Sequence, residues 1–554
     1  MSSIVKSFFC FIGVMLPSFV CTYAVASDQI IDVKTELQQL IDDHKVRAAV
    51  VMYVEGDSEV NGLEKLGEIS DSKREVPDET STVFEIGSIT KVFTALLVQT
   101  LVDDDLLDWD DTISEVLPEI EFANDAVESV TLRELATHRS GLPRLPTNFT
   151  QTAIPGNPMD PYANYGSQDL LAFLESFEPT ELKKEYAYSN FGFALLGYIA
   201  ATTLDTNYAE AMSQKVFQPL EMNNSTAFDS IEHDTELAAG YSNTANMGLW
   251  TFNAHAGAGV IRSTARDMYK FIVANLRETD DAIHHAIRAI RELQYETDHA
   301  LGWITETSRN DTTVFTHSGL TGGYASFLAI DPEAKSGWVI LTASTESDRI
   351  TSLGSSFYRD LASLKSIDIA PYLGVYSLGQ NQYMTVSDYH GNLQLQVTTR
   401  QPFVLEHDAD HRFTLQALNY SAVFELGKDG GATSLKWSEP GVSIDAKRVD
   451  DKYGVPIREE VSIDSELLTE YVGEYQLPFG MVAAVKQIED RLFVQVTGQP
   501  EFRVFPKSPT RFFYKALDAE IEFKKDGKDG QGTVTGTVFH QGGEHFAPRI
   551  KDKE

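Results

Sequence analysis

The chain has 554 residues, of which 42% are apolar and 10% aromatic, so it is too long for one hydrophobic core and too apolar to be disordered over most of its length. Two or three domains are expected. The formal net charge of −37 argues against nucleic acid as a partner, and an acidic surface that keeps the protein soluble accounts for it.

The first 26 residues read as an export signal: Lys6 supplies a positive start, Phe8 to Val20 is mostly apolar, and Ala24-Val25-Ala26 fits a small-residue cleavage site. A periplasmic or secreted location is therefore expected. A retained membrane anchor is the competing reading, opposed by Pro17 and by the small-residue site. Both cysteines, Cys10 and Cys21, fall inside that segment, which excludes disulfides, thiolate-held metal and a cysteine nucleophile from the processed chain. No later stretch offers the ~20 apolar residues of a spanning helix.

From residue 28 to 365 long helical patterns mix with short strands, the mark of an α+β domain. Ser88 to Val102 reads as a helix with one broad apolar face, and Thr313 to Thr316 and Trp338 to Thr342 read as strands. Beyond Ile367 short alternating runs are broken by Gly, Asn and Asp, as in antiparallel all-β domains.

This second region repeats. Tyr372-Leu373-Gly374-Val375-Tyr376 returns roughly a hundred positions later as Tyr471-Val472-Gly473-Glu474-Tyr475. Leu393 matches Leu492, Arg412-Phe413 matches Arg511-Phe512, Phe424 matches Phe523, and Ala446-Lys447-Arg448 matches Ala547-Pro548-Arg549. Residues 366–455 and 463–554 are therefore expected to be two copies of one small, barrel-like all-β domain, each closed on itself.

Familiar catalytic signals are few. There is no Gly-x-Ser-x-Gly elbow and no His-Glu-x-x-His helix, and the thirteen histidines suggest no metal site. Nor is a cofactor expected, since Gly257-Ala258-Gly259 lacks the third glycine of a dinucleotide loop. Ser-x-x-Lys occurs as Ser3/Lys6, Ser70/Lys73 and Ser88/Lys91. The first lies in the export segment and the second in a polar stretch. The third opens the apolar helix, where the i, i+3 spacing brings the Lys91 amine within reach of the Ser88 hydroxyl. Burial there would lower the lysine pKa until the amine accepts a proton, and a helix start would offer a backbone N–H to a developing oxyanion. An N-cap serine with a solvated lysine is the bland alternative.

Two later tripeptides weigh against it. Tyr188-Ser189-Asn190 precedes the helical run Phe191 to Ala201, and His317-Ser318-Gly319 lies between strand-like runs. Similar tripeptides at Tyr162, Tyr241 and His255 sit in polar, Pro/Gly-rich or small-residue surroundings and are set aside.

With these motifs, the segments Phe84 to Ser88, Leu135 to Leu142, Phe217 to Met222 and Ser263 to Asp267 make residues 30 to 345 resemble the class C β-lactamase and penicillin-recognising serine hydrolase superfamily. This superfamily includes DD-carboxypeptidases, D-aminopeptidases and esterases. The resemblance implies a β-lactamase/transpeptidase-like domain, an antiparallel sheet flanked by helices. It also implies Ser88 as nucleophile, Lys91 and Tyr188 as its proton-handling partners, and Asn190 on the substrate amide. His317, Ser318 and Gly319 would line the substrate, and the backbone N–H groups of Ser88 and Leu320 would form the oxyanion hole. Which of Lys91 and Tyr188 is the base stays open. His138 would anchor a loop.

The substrate would be a small peptide, ester or β-lactam. Class C β-lactamases usually carry lysine where His317 stands; a histidine is mostly neutral near pH 7 and attracts a carboxylate less. D-Amino-acid-containing or cell-wall-type substrates are therefore favoured over β-lactams, and the domain order resembles that of D-aminopeptidases. A catalytically dead binding or sensor protein is the reading from another class, opposed by the presence of both serine and lysine.

Overall fold

The computed structural model describes residues 33–550, except for 150–159, 228–235, 359–367, 452–460 and a number of shorter internal stretches. The export segment and both cysteines lie outside the described residues. Among those described, no helix is long and apolar enough to cross a membrane.

The N-terminal domain is built on a six-stranded antiparallel sheet. Its order is Gly62–Gly67, Val46–Glu55, Ser336–Ser344, Ala325–Asp331, Thr313–Leu320 and Ile304–Thr307. Val46–Glu55 and Ser336–Ser344 are buried along nearly their whole length, which explains their continuous apolar character. The period of two sorts their side chains: Ala48, Val50, Met52 and Val54 enter one core, while Ala49, Val51 and Tyr53 enter another on the opposite face.

The first core holds the helices Thr90–Asp103 and Asn190–Thr203. The second is closed by the helical segment 33–42 and the helix Ser347–Ser355. Two expectations are corrected here. Thr90–Asp103 is buried almost all round rather than on one face, because it runs through the centre of the larger core. Ser88 does not begin that helix; it sits in a single 3₁₀ turn, Gly87–Ile89, that leads into it.

The first C-terminal unit, from Gly374–Gly379 to Val442–Val449, is a closed barrel of eight antiparallel strands. The second runs through eight strands from Gly473–Gln476 to Glu544–Pro548, whose ends meet, among the described residues, at the Tyr475–Arg549 bridge and at Ile550 N–H on the Glu474 carbonyl, 2.7 Å. The second copy is also not self-contained. The catalytic-domain hairpin Gly240–Ser242 and Ala245–Met247 joins its sheet through Ala245 opposite Phe502.

The sequence repeat has an atomic counterpart. Tyr376 Oη donates to the Tyr372 carbonyl and Tyr475 Oη to the Tyr471 carbonyl, each at 2.7 Å. The intervening glycines, Gly374 and Gly473, have φ of 148° and 153°, and each lies under the guanidinium of the matching arginine, Arg448 or Arg549. A side chain at either glycine would be strained and would push that arginine away.

Candidate active site

The serine turn is held from three sides. Ile86 N–H donates to Ile261 O at 3.0 Å, Ser326 Oγ donates to Ile86 O at 2.9 Å, and Gly87 takes φ of 52°. The strand Thr313–Leu320 ends against this turn, and a Cβ on Gly319 would drive into the Ile86 carbonyl and the Ser326 hydroxyl. Glycine at that third-motif position serves close backbone approach, which brings the Leu320 backbone beside the serine turn.

Lys91 is fully buried, with Nζ 3.0 Å from Ser88 Oγ and a second bond, at 2.7 Å, donated to Ala258 O. Burial, and after it the Arg144 charge, holds this lysine well below the ordinary lysine range. In its deprotonated form the amine, anchored on the Ala258 carbonyl, keeps a lone pair for the serine proton.

Tyr188 hydrogen-bonds Ser88, and its ring centroid lies 4.9 Å from Lys91 Nζ. Its phenol is pushed up to about 12, by burial first, against the lowering effect of the Arg144 charge and the Ser88 hydrogen bond. The phenol is therefore a proton-carrying group at neutral pH. Ser189 begins the helix Asn190–Thr203: its Oγ accepts from Gly192 N–H at 2.9 Å and donates to Pro143 O at 2.7 Å. That cap sets the direction in which Tyr188 and Asn190 face. His138, itself at φ of 57°, accepts from Ser189 N–H through Nδ1 at 3.0 Å and packs its ring 4.3 Å from that of Tyr188. It anchors the Tyr188 loop.

His317 is buried, with Nδ1 2.7 Å from Ser318 O, and burial followed by the Lys91 charge pulls its pKa down to about 3. Its ring lies 6.3 Å from that of Tyr188. The neutrality expected from the residue type is thus set by burial and extends far below physiological pH. Ser88, Lys91, Tyr188, His317 and the strand end Gly319-Leu320 are linked by these contacts into one cluster, with Asn190 following Tyr188 through the Ser189 cap.

Several wall residues were missed from the sequence. Tyr162, set aside as part of a similar tripeptide, receives Asn190 Nδ2 at 3.4 Å, and His255 from another packs 5.1 Å from the Tyr162 ring. Gly257-Ala258-Gly259 is a contact surface between helices: a Cβ on Gly257 would collide with the Phe193 carbonyl. Glu85 accepts from Trp250 N–H at 2.9 Å, and Arg262 donates to Trp250 O at 2.9 Å, so the two clamp the loop whose indole stands 5.4 Å from the Tyr162 ring. Arg144, whose Cζ lies 5.0 Å from the Tyr188 ring centroid, had no sequence signal beyond following Leu142-Pro143. Among the described residues no three His, Asp or Glu side chains cluster as metal donors.

An antiparallel sheet with helices on both faces and a serine–lysine–tyrosine cluster at a strand end define a β-lactamase/transpeptidase-like serine hydrolase. The family model described as Beta-lactamase matches residues 33–358, and the chain belongs to that family. A second model, "Domain of unknown function (DUF3471)", matches residues 458–546, within the second β-unit. The chain is 23% identical to Penicillin-binding protein 4* of Bacillus subtilis over 94% of its own length and 98% of that protein. The fold matches that of a class C β-lactamase from Rhodobacter sphaeroides with TM-score 0.51 at 20% identity, over 60% of this chain and 97% of that one. It also matches a β-lactamase/D-alanine carboxypeptidase from Pseudomonas syringae with TM-score 0.51 at 18% identity, over 60% and 98%.

Proposed function

We propose that this protein is an exported enzyme, periplasmic or secreted, that cleaves an amide or ester bond through a Ser88 acyl-enzyme. The Ser88 proton passes to the neutral Lys91 amine as Oγ bonds to the substrate carbonyl carbon. The backbone N–H groups of Ser88 and Leu320 stabilise the resulting oxyanion. As the scissile bond breaks, Tyr188 gives its proton to the leaving nitrogen or oxygen and is reprotonated from Lys91. Water then attacks the acyl-enzyme and restores Ser88. Asn190 holds the substrate amide, and the His317-Ser318-Gly319 strand end lines its edge.

The observation that carries this reading is the 3.0 Å approach of a buried, low-pKa Lys91 to Ser88. It supports Lys91 as the proton acceptor and Tyr188, whose phenol is raised, as the donor. The proposed substrates are D-amino-acid-containing peptides or related cell-wall-type amides and esters, supported by the neutral His317 and by the near full-length likeness to a penicillin-binding protein. The test combines fluorophosphonate labelling, read by mass spectrometry on the Ser88 peptide, with a panel of D-aminoacyl amides, D-Ala-D-Ala peptides, short esters and nitrocefin. Absence of labelling refutes the acyl-enzyme, and nitrocefin as the best substrate refutes the substrate assignment.

A further inference from the structure

Burial shifts the titratable groups around Ser88 toward their uncharged forms. Lys91 is held well below its ordinary pKa, His138 likewise, and His317 and His255 are brought to about 3, while the Tyr188 phenol is raised to about 12. Arg144 brings a guanidinium to the Tyr188 ring beside them. A guanidinium stays charged at any working pH.

The position of Arg144 is set by the backbone, since its carbonyl accepts from Asn190 N–H at 3.1 Å and Phe191 N–H at 3.2 Å. Its Cζ lies 5.0 Å from the centroid of the Tyr188 ring. This segment is therefore tied to the loop that carries Tyr188 and Asn190.

Among the described residues no carboxylate or hydrogen-bond acceptor engages this guanidinium, although acidic residues outnumber basic ones 82 to 45. The adjacent stretch 150–159 contains no charged residue. Other basic side chains of this domain are paired with carboxylates: Lys184 with Glu134, and Arg133 with Asp110. Contact with an aromatic face offsets part of the desolvation of a half-buried cation, but among the described residues it supplies no oxygen acceptor to the five N–H donors. A second polar group in the same place is also unsatisfied. Asn190 Oδ1 is buried without a hydrogen-bond partner, which leaves it open to an N–H donor.

We propose that Arg144 is the anion-recognising residue of this active site, binding a carboxylate carried by the substrate while Asn190 Oδ1 accepts an N–H from it. The inference rests on the acyl-enzyme reading above and assigns to Arg144 the charge recognition that a buried, neutral His317 does not supply. The carboxylate belongs either to the acyl part of the substrate or to its leaving group. Both use the same planar, two-pronged match of guanidinium and carboxylate.

The experiment measures second-order acylation rates of Ser88 with two pairs of activated esters, in wild type, Arg144→Gln and Arg144→Lys. One pair, the p-nitrophenyl monoesters of adipic and hexanoic acid, differs by a carboxylate on the acyl side. The other, phenylacetylglycine aryl esters whose phenol bears or lacks a meta-carboxylate, differs on the leaving group. The quantity read is the ratio of charged to neutral ester within each pair, because Arg144 also acts on Lys91 and Tyr188 and absolute rates will change. Wild type is expected to favour the charged member of one pair. Arg144→Gln should reduce that preference roughly ten- to hundredfold, with Arg144→Lys intermediate. Added salt should weaken it in wild type and in Arg144→Lys but not in Arg144→Gln. A wild type with no preference in either pair, or ratios unchanged in Arg144→Gln, overturns the proposal. Wild-type fluorophosphonate labelling separates the levels: labelling without discrimination defeats the role of Arg144 alone, and no labelling defeats the acyl-enzyme reading as well.

Discussion

A Cβ placed on Gly87 would stand 2.7 Å from the backbone nitrogen of Leu320, so the serine turn and the strand end touch backbone to backbone. The two N–H groups assigned to the oxyanion are positioned by that contact. Gly87→Ala is expected to lower kcat/KM by about 10²–10³ through displacement of the oxyanion donors. Its φ of 52° adds a stability loss of about 1–2 kcal/mol. Kinetics alongside a denaturant melt separate the two effects; an activity loss no larger than the stability change explains would contradict the assignment.

Lys91 binds its proton less readily folded than unfolded, because burial disfavours the ammonium. Between the folded and unfolded pKa values the unfolded chain therefore holds the extra proton, and stability rises with pH. Lys91→Met should flatten this slope and raise stability near neutral pH by about 0.5–2 kcal/mol while abolishing turnover. Urea melts across the neutral and alkaline range are the check, with Ser88→Ala as an inactive control that keeps the slope.

Tyr188→Phe should reduce kcat by about 10²–10⁴, the range for losing a positioned proton donor. With the phenol raised to about 12, the wild-type rate should not climb between neutral pH and mild alkali as it would if a phenolate were the base. Such a climb, lost in Tyr188→Phe, would reverse the roles given to Tyr188 and Lys91.

His317 has a folded pKa of about 3 against an ordinary value of 6.5, so acidification through that interval protonates the unfolded chain first and destabilises the fold. His317→Asn is expected to make the acid limb of the stability profile shallower. It follows that exchanging His317 for lysine tests a buried ammonium, and that protonation of the native histidine contributes nothing under assay conditions. An unchanged acid limb would show that His317 titrates normally.

The second β-unit is fastened to the catalytic domain by Arg491, which reaches Asp71 at 3.2 Å and Glu68 at 3.4 Å, while Asp71 also pairs with Arg47 at 2.8 Å. Arg491→Ala leaves Asp71 its Arg47 partner, so loss of about 1–3 kcal/mol from the docking contact is expected. Differential scanning calorimetry should show a separate, lower transition for the released unit. A single unshifted transition would mean that strand pairing through Ala245 and Phe502 suffices.

What the sequence determined by itself is whatever depends on near neighbours or on repetition. The Ser88 to Lys91 spacing places amine and hydroxyl together because helical turns of either kind put such residues on one side. The Tyr-x-Gly-x-Tyr repeat announces two like units because each tyrosine hydroxyl closes on a carbonyl four residues back. Tertiary structure decided the rest. The pKa shifts of Lys91 and His317 depend on burial within the folded domain, and for Lys91 also on the charge of Arg144, a residue that no local pattern marks. The extension of the second sheet rests on a hairpin at 240–247 that is short and irregular in sequence and gains its ladder partner only when the domains meet. Spacing along the chain fixes which groups can touch; desolvation by the folded whole fixes which of them carry charge.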